Sequence, residues 1–144
     1  MDPTDEERRQ RLATAATIAV VGLSDKPERD SNEVARYLQQ QGYRIIPVNP
    51  ALTEVLGERS YPSVSAIPPE IRIDILDVFR RSEQVPPIVE EAIARGVGAI
   101  YLQIGVDHPG AAERARAHGI PVETNRCVMQ DHRRLHIPPR TPSR

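Results

Sequence analysis

The residues best suited to chemistry fall at four places, each just after a short apolar run. After Val21 the chain reads Gly22-Leu23-Ser24-Asp25-Lys26-Pro27-Glu28-Arg29-Asp30-Ser31. A glycine lets backbone approach a ligand closely, and the amides that open a helix, together with Ser24, Lys26 and Arg29, suit a phosphate. Of the glycines in a dinucleotide fingerprint only Gly22 is present, in a loop too long for that turn. After Val48 come Asn49 and Pro50, where a nicotinamide enzyme carries an acid for the ribose hydroxyls, so an ordinary NAD site is disfavoured. The third run ends in Val78-Phe79-Arg80-Arg81, a flat apolar ring able to cover a base beside two cations able to face phosphates. The fourth ends in Gln103-Ile104-Gly105, a polar side chain and again a glycine suited to close approach. The plainer alternatives are a turn glycine, a core phenylalanine and solvated arginines. Such chemistry at the ends of four strands favours a ligand.

The runs themselves are Thr17 to Val21, Arg44 to Val48, Asp74 to Phe79 and Gly98 to Leu102, with a shorter one at Ile120-Pro121-Val122. They are strand-length and nearly all apolar, as expected of strands buried on both faces. Between them lie amphipathic segments. Asp30 with Glu33 forms a capping box, Val34, Tyr37 and Leu38 share one face, and Gly42 stands where a helix ends. Pro86-Pro87 open a second helix with Ile88, Val89, Ala92 and Ile93 inward, Glu90, Glu91 and Arg95 outward, and Gly96 at its end. Pro109 to Gly119 is a third. Repeated strand, helix, strand units with right-handed crossovers predict an α/β, Rossmann-like doubly wound domain of about five parallel strands with helices on both faces. Residues 1–12 are expected as an N-terminal helical extension, 13–136 as the domain, and the proline-punctuated 137–144 as a flexible C-terminal tail.

Composition removes several functions. A chain of 144 residues is the size of one domain, and 39% hydrophobic with 27% charged residues excludes both a disordered chain and a membrane protein. Nineteen basic against twenty acidic residues give a net charge of −1, which removes the electrostatic argument for nucleic acid. Aromatic content is 3% with no tryptophan, against a base-stacking platform. One cysteine and a charged start without an apolar core point to the cytoplasm.

Val20 to Ser24 with Lys26, Pro27 and Arg29, then Gly42 to Pro50, Leu56-Gly57, Asp74 to Arg81, Leu102 to Gly105 and Asn125 to Met129 carry a resemblance in the right order over nearly the whole domain. Together they resemble the small single-domain CoA-binding proteins, whose fold is like the CoA-binding domain of the succinyl-CoA synthetase α subunit. The resemblance implies coenzyme A or acyl-CoA as the ligand. Its nucleotide half would lie across Gly22, Leu23, Ser24, Lys26, Arg29, the turn at Asn49-Pro50 and Val78 to Arg81, with Gln103 and Gly105 beneath the pantetheine side. The acid usual before Arg126-Cys127 in the family is Asn125 here. A ligand with a 3′-phosphate and a pyrophosphate wants several cations and no acid on its ribose, which agrees with Lys26, Arg29, Arg80 and Arg81 beside Asn49. The synthetases also need a phosphohistidine segment and a nucleotide-grasping domain, for which this length leaves no room. The expectation is a binding protein without chemistry of its own: a carrier, a sensor or an accessory subunit, as a homodimer or with an unidentified protein partner.

Two rival readings remain. Cys127 is followed by His132 and His136; a zinc site would lack a fourth ligand. As a nucleophile Cys127 needs a lowered thiol pKa and a base, with Arg126, Arg133 or His132 as helpers, and the protein would then be an enzyme of acyl or thiol–disulfide exchange on bound CoA. As a small buried side chain it needs neither. Asp74 and Asp77, three apart on a strand, face opposite sides and cannot form a carboxylate pair. His108 before Pro109 suits a cap. The other rival is a regulatory Rossmann domain for a different nucleotide.

Overall fold

The computed structural model describes residues 3–141. In chain order the elements are α1 (Asp5–Thr14), β1 (Thr17–Val21), α2 (Asp30–Gln40), β2 (Arg44–Val48), a short hairpin of β3 (Glu54–Val55) and β4 (Glu58–Arg59), β5 (Ile75–Val78), α3 (Val85–Arg95), β6 (Ile100–Leu102), α4 (Pro109–Ala117), β7 (Val122–Glu123) and α5 (Val128–Arg134). Five strands form one parallel sheet in the order β2-β1-β5-β6-β7. The chain winds outward from β1 to β2, returns to β5 on the other side of β1, and winds outward again. The strand order therefore reverses between β1 and β5, and a crevice opens at their carboxyl ends.

Side-chain alternation divides the core into two layers. Ala19, Val21, Leu76, Val78, Ile100 and Leu102 face Val85, Val89, Ala92, Ala112 and Ala115 of α3 and α4. Ile18, Val20, Ile45, Ile75 and Tyr101 face Leu12, Val34, Leu38 and Val128 of α1, α2 and α5. Strands buried on both faces are nearly continuous apolar runs, and the first two runs match their strands residue for residue.

Several local expectations change. The residue capping α2 is Arg29, without a side-chain bond, so Asp30 and Glu33 lie inside the first turn; they complement the helix dipole rather than forming a capping box. The capping box is on α1, where Thr4 Oγ1 accepts the Glu7 N–H and the Glu7 carboxylate accepts the Thr4 N–H. Arg95 does not point to solvent. Its guanidinium donates to the carbonyls of Val64, Ile67, Pro68 and Ile71, pinning the loop before β5. The fifth run is shifted, with β7 at Val122–Glu123 rather than 120–122.

Among the described residues, α1 and the stretch 137–140 are attached to the domain. Helix α1 buries Leu12, and its Arg8 and Arg11 reach the buried Glu123 carboxylate of β7 at 3.0 and 3.1 Å. Of the expected tail, Ile137 is buried and the Arg140 N–H donates to the Gln41 carbonyl at 2.8 Å; residues 142–144, like 1 and 2, lie outside the described ones. Among the described residues no helix is long and apolar enough to cross a membrane.

Candidate ligand-binding site

Two clefts meet at the carboxyl edge of the sheet. The smaller, about 470 Å³, is lined by Gly22, Ser24, Lys26, Glu28, Arg29, Asp30, Ser31 and Phe79. The larger, about 650 Å³, is lined from α2 by Asp30, Glu33 and Val34, after β5 by Phe79, Arg80 and Arg81, after β6 by Gln103 to Val106, and from the α5 region by Cys127, Met129 and Gln130. Phe79 and Asp30 belong to both. Both volumes lie in the range of small-molecule sites, at the position in the sheet where such sites occur.

The shape of the smaller cleft comes from its loop. Ser31 Oγ accepts the Ser24 N–H at 3.0 Å, Ser24 Oγ accepts the Lys26 N–H at 3.0 Å, and the Asn32 amide donates to the Ser24 carbonyl at 2.8 Å. These bonds fold the loop back on the start of α2, so Lys26 and Arg29 project from a braced backbone. Gly22 has φ +83°, and a Cβ there would stand 2.1 Å from the Phe79 carbonyl oxygen. The ends of β1 and β5 therefore approach as closely as only glycine allows, which brings Phe79 into the wall of both clefts.

Of the residues singled out in the sequence, Gly22, Ser24, Lys26 and Arg29 line the smaller cleft, Arg80, Arg81, Gln103 and Gly105 the larger, and Phe79 both. Leu23 and Val78 do not line either; their side chains are fully buried in the two core layers and only their backbone is near the site. Pro50 is exposed and lies outside both clefts. Asn49 acts through the loop: its Nδ2 donates to the Leu23 carbonyl at 3.0 Å and its Oδ1 accepts the Ala51 N–H at 3.0 Å.

The expected rim of cations is a rim of mixed charge. Glu28 and Asp30 share the smaller cleft with Lys26 and Arg29, and Asp30 and Glu33 share the larger with Arg80 and Arg81. Sequence reasoning missed these acids because they read as the polar side and first turn of a helix. Among the described residues, the side chains of Lys26, Arg29 and Arg80 have no hydrogen-bonded or ion-paired partner, whereas Arg81 stands 3.6 Å from Glu83. Three cations are thus available to a ligand. Asn125 also has a role: at φ +54°, a conformation asparagine tolerates, its Oδ1 accepts the Gly105 N–H at 2.7 Å and ties the wall after β6 to the segment before α5.

Beneath the larger cleft lies Asp77, fully buried, its Oδ1 accepting from Gln103 Nε2 and its Oδ2 without a partner among the described residues. Burial pushes its carboxyl up to about 7, although the Gln103 hydrogen bond opposes the shift. Asp74, at the opposite end of β5, is held below the usual carboxylate range: the Ala16 and Thr17 amides and Arg72 outweigh its partial burial. The two aspartates therefore differ in place and in charge.

Cys127 is buried against the larger cleft, and desolvation raises its thiol despite backbone hydrogen bonds from Met129 and Gln130. The helpers named for it are engaged elsewhere. Arg126 binds Asp131 at 2.7 Å, Arg133 lies over the Tyr37 ring, and His132 Nδ1 shares a 2.7 Å hydrogen bond with the Tyr37 hydroxyl. His136 is exposed after α5, and among the described residues no three His, Cys, Asp or Glu side chains are grouped to hold a metal ion. His108 Nδ1 accepts the Ala111 N–H and caps α4.

His132 makes a pH prediction. Its ring is buried edge-on to Tyr37 and Tyr43, and desolvation and the nearby Arg133 hold its pKa below the usual 6.5. The unfolded chain then takes up this proton first, so the contribution is present above about pH 6.5 and is lost as pH falls below it. Asp77 acts with the opposite sign, since its raised carboxyl favours the folded state as pH falls. His132→Gln should remove only the first effect, and its Tm should fall less than that of the parent between pH 7 and 5, or rise. Parallel Tm curves for the two proteins would assign the pH dependence to other groups.

Comparison with known proteins agrees with the geometry. A family model described as a CoA binding domain matches residues 16–133. The YneT protein of Bacillus subtilis is 37% identical over 131 residues, covering 91% of this chain and 96% of that protein. The α subunit of an ADP-forming acetate–CoA ligase II from Pyrococcus furiosus is 30% identical over 132 residues, and these span 83% of this chain but 28% of that subunit. Among solved structures, a hypothetical protein from Pyrococcus horikoshii superposes with a TM-score of 0.89 at 40% identity, covering 93% of each chain. A dinucleotide-forming acetyl-coenzyme A synthetase from Ca. Korarchaeum cryptofilum gives 0.69 at 26% identity over 81% of this chain and 27% of its own. The reversed strand order, the clefts at the carboxyl edge and the match along the sheet lead to one conclusion: the chain belongs to the CoA-binding domain family.

Proposed function

We propose that the protein binds coenzyme A or acyl-CoA and performs no covalent chemistry of its own, serving as a carrier, a sensor or an accessory subunit that presents its ligand to a partner. The observation that carries this reading is the pair of clefts joined at Phe79, with Lys26, Arg29 and Arg80 around them unpartnered among the described residues. The smaller cleft, with Ser24, Lys26, Arg29 and Ser31 in its wall, suits phosphates, Phe79 offers an apolar face to the adenine, and the larger cleft with Gln103 and Gly105 suits the pantetheine arm. Similarity to one domain of the acetate–CoA ligases supports the accessory role, because in those longer proteins the same fold accompanies other segments.

Isothermal titration tests the reading. Coenzyme A should bind with micromolar or tighter affinity, and dephospho-CoA about tenfold more weakly, the value of one charge-assisted contact in a partly exposed site. Equal affinities would remove the role given to the cations. Exchange chemistry at Cys127 is less well supported, since a thiol kept protonated by burial, with no base on it, is a poor nucleophile. If Cys127→Ser binds coenzyme A as the parent does, and neither protein transfers an acyl or thiol group, the binding role stands alone.

A further inference from the structure

The least explained atom near the site is Asp77 Oδ2, buried and without a hydrogen-bond partner. Leaving a buried carboxylate oxygen without a hydrogen bond is costly, so its retention beneath a cleft calls for a role. Asp77 does not line the cleft itself. It reaches the cleft through Gln103, which lines the larger cleft and whose Nε2 donates to Asp77 Oδ1. Gln103 Oε1 has no partner among the described residues, yet it is not sealed off as Asp77 Oδ2 is.

We propose that Asp77 decides which hydrogen-bonding face Gln103 offers to the ligand. As a carboxylate, Asp77 can only accept; it holds the Gln103 amino group and leaves Oε1 free to accept an N–H from a ligand amide. As a carboxylic acid, protonated on Oδ2, it pairs with the Gln103 amide through two antiparallel hydrogen bonds, and Oε1 is withdrawn from the cleft. Gln103 is thus the residue that selects an amide, and Asp77 is its positioning residue. This rests on the CoA reading, in which the amide is one of the two in the pantetheine arm.

The surroundings leave Asp77 free to titrate. Val20 of β1 and Tyr101 of β6 flank it in the sheet. The Tyr101 hydroxyl is engaged by Asp131 at 3.0 Å, and Asp131 is paired with Arg126 at 2.7 Å. The Cys127 thiol at the start of α5 is neutral and held up by burial. Asp30 and Glu33 of α2, with Arg80 and Arg81, stand on the solvent side of the cleft, and none is bonded to Asp77. Among the described residues Gln103 alone is bonded to Asp77, and burial puts the midpoint of its proton at about 7. Binding of an amide to Oε1 favours the carboxylate, so affinity should rise with pH through that midpoint.

Two measurements test this. In the ligand-free protein the Gln103 side-chain amide resonances should shift between pH 5.5 and 8.5 with a single midpoint at about 7, and should be flat in Asp77→Asn, which mimics the acid form permanently. Coenzyme A should bind this variant about tenfold more weakly than the parent at pH 8.5 and equally at pH 5.5. The ligand's own terminal phosphate titrates in this range, so the ratio of parent to variant at each pH is the readout. Gln103 resonances that do not move with pH in the parent would overturn the switch even if coenzyme A binds. Resonances that titrate while coenzyme A fails to bind would keep the switch and overturn the CoA reading instead.

Discussion

Gly22→Ala is expected to lower the unfolding free energy by about 3 kcal/mol or more. Two costs add. A left-handed backbone strains any residue with a Cβ by roughly 1–2 kcal/mol, and Gly22 sits at φ +83°. The added carbon would also lie 2.1 Å from the Phe79 carbonyl oxygen, a contact that backbone on one side or the other must move to relieve. Movement there is resisted, because the Gly22 N–H donates to Val48 and the Phe79 N–H to Val21, both at 2.8 Å. Gly57 is the internal control: it has φ +76° with nothing within 4 Å of a built Cβ, so Gly57→Ala should cost only the backbone strain of about 1 kcal/mol. Urea unfolding of both variants gives the comparison. Equal losses would mean that the close approach of β1 and β5 contributes nothing, and the account of how Phe79 enters both clefts would fail with it.

The double variant Lys26→Ala/Arg29→Ala should bind coenzyme A roughly a hundredfold more weakly than the parent. Charge-assisted contacts are worth about 1.5–3 kcal/mol each when desolvated, and exposure brings these two nearer the low end, so together they amount to about 3 kcal/mol. The neighbouring acids give the complementary test. Asp30 lines both clefts without offsetting either cation by a direct bond, and Asp30→Asn should tighten coenzyme A binding several-fold by removing a like charge from the phosphates. The gain should shrink as salt is raised, since these charges are exposed. A double variant that binds like the parent would move the phosphates out of the loop after β1, whatever else the clefts hold.

The two experiments touch different layers of the same construction. Elements were legible in the sequence because their signals are local. The runs from Thr17 to Val21 and from Arg44 to Val48 are apolar after their first residue because both faces of these parallel strands are covered by helices. Pro86-Pro87 and Gly96 bracket α3 because fixed φ suits a helix start and a left-handed residue suits its end. From these the parallel sheet and its crevice follow, and so does the short list of loops that can reach a ligand.

Direction and pairing were not legible, because they depend on groups distant in the chain. Arg95 has the spacing of an outward residue, yet four carbonyls between Val64 and Ile71 outcompete water for its guanidinium. Asn125 has no helical or strand signal, and only the folded chain brings the Gly105 amide to it. Asp77 reads as one more polar residue near a strand end until the sheet closes over it. By itself the sequence determined β1, β2, the two ends of α3 and the loops that meet at the crevice, since periodicity and capping are written within a few residues. Only the tertiary structure decided that acids stand among the cations, that Leu23 and Val78 turn inward, and that a buried carboxyl lies under Gln103, because burial and through-space charge are set by whatever the rest of the chain packs alongside.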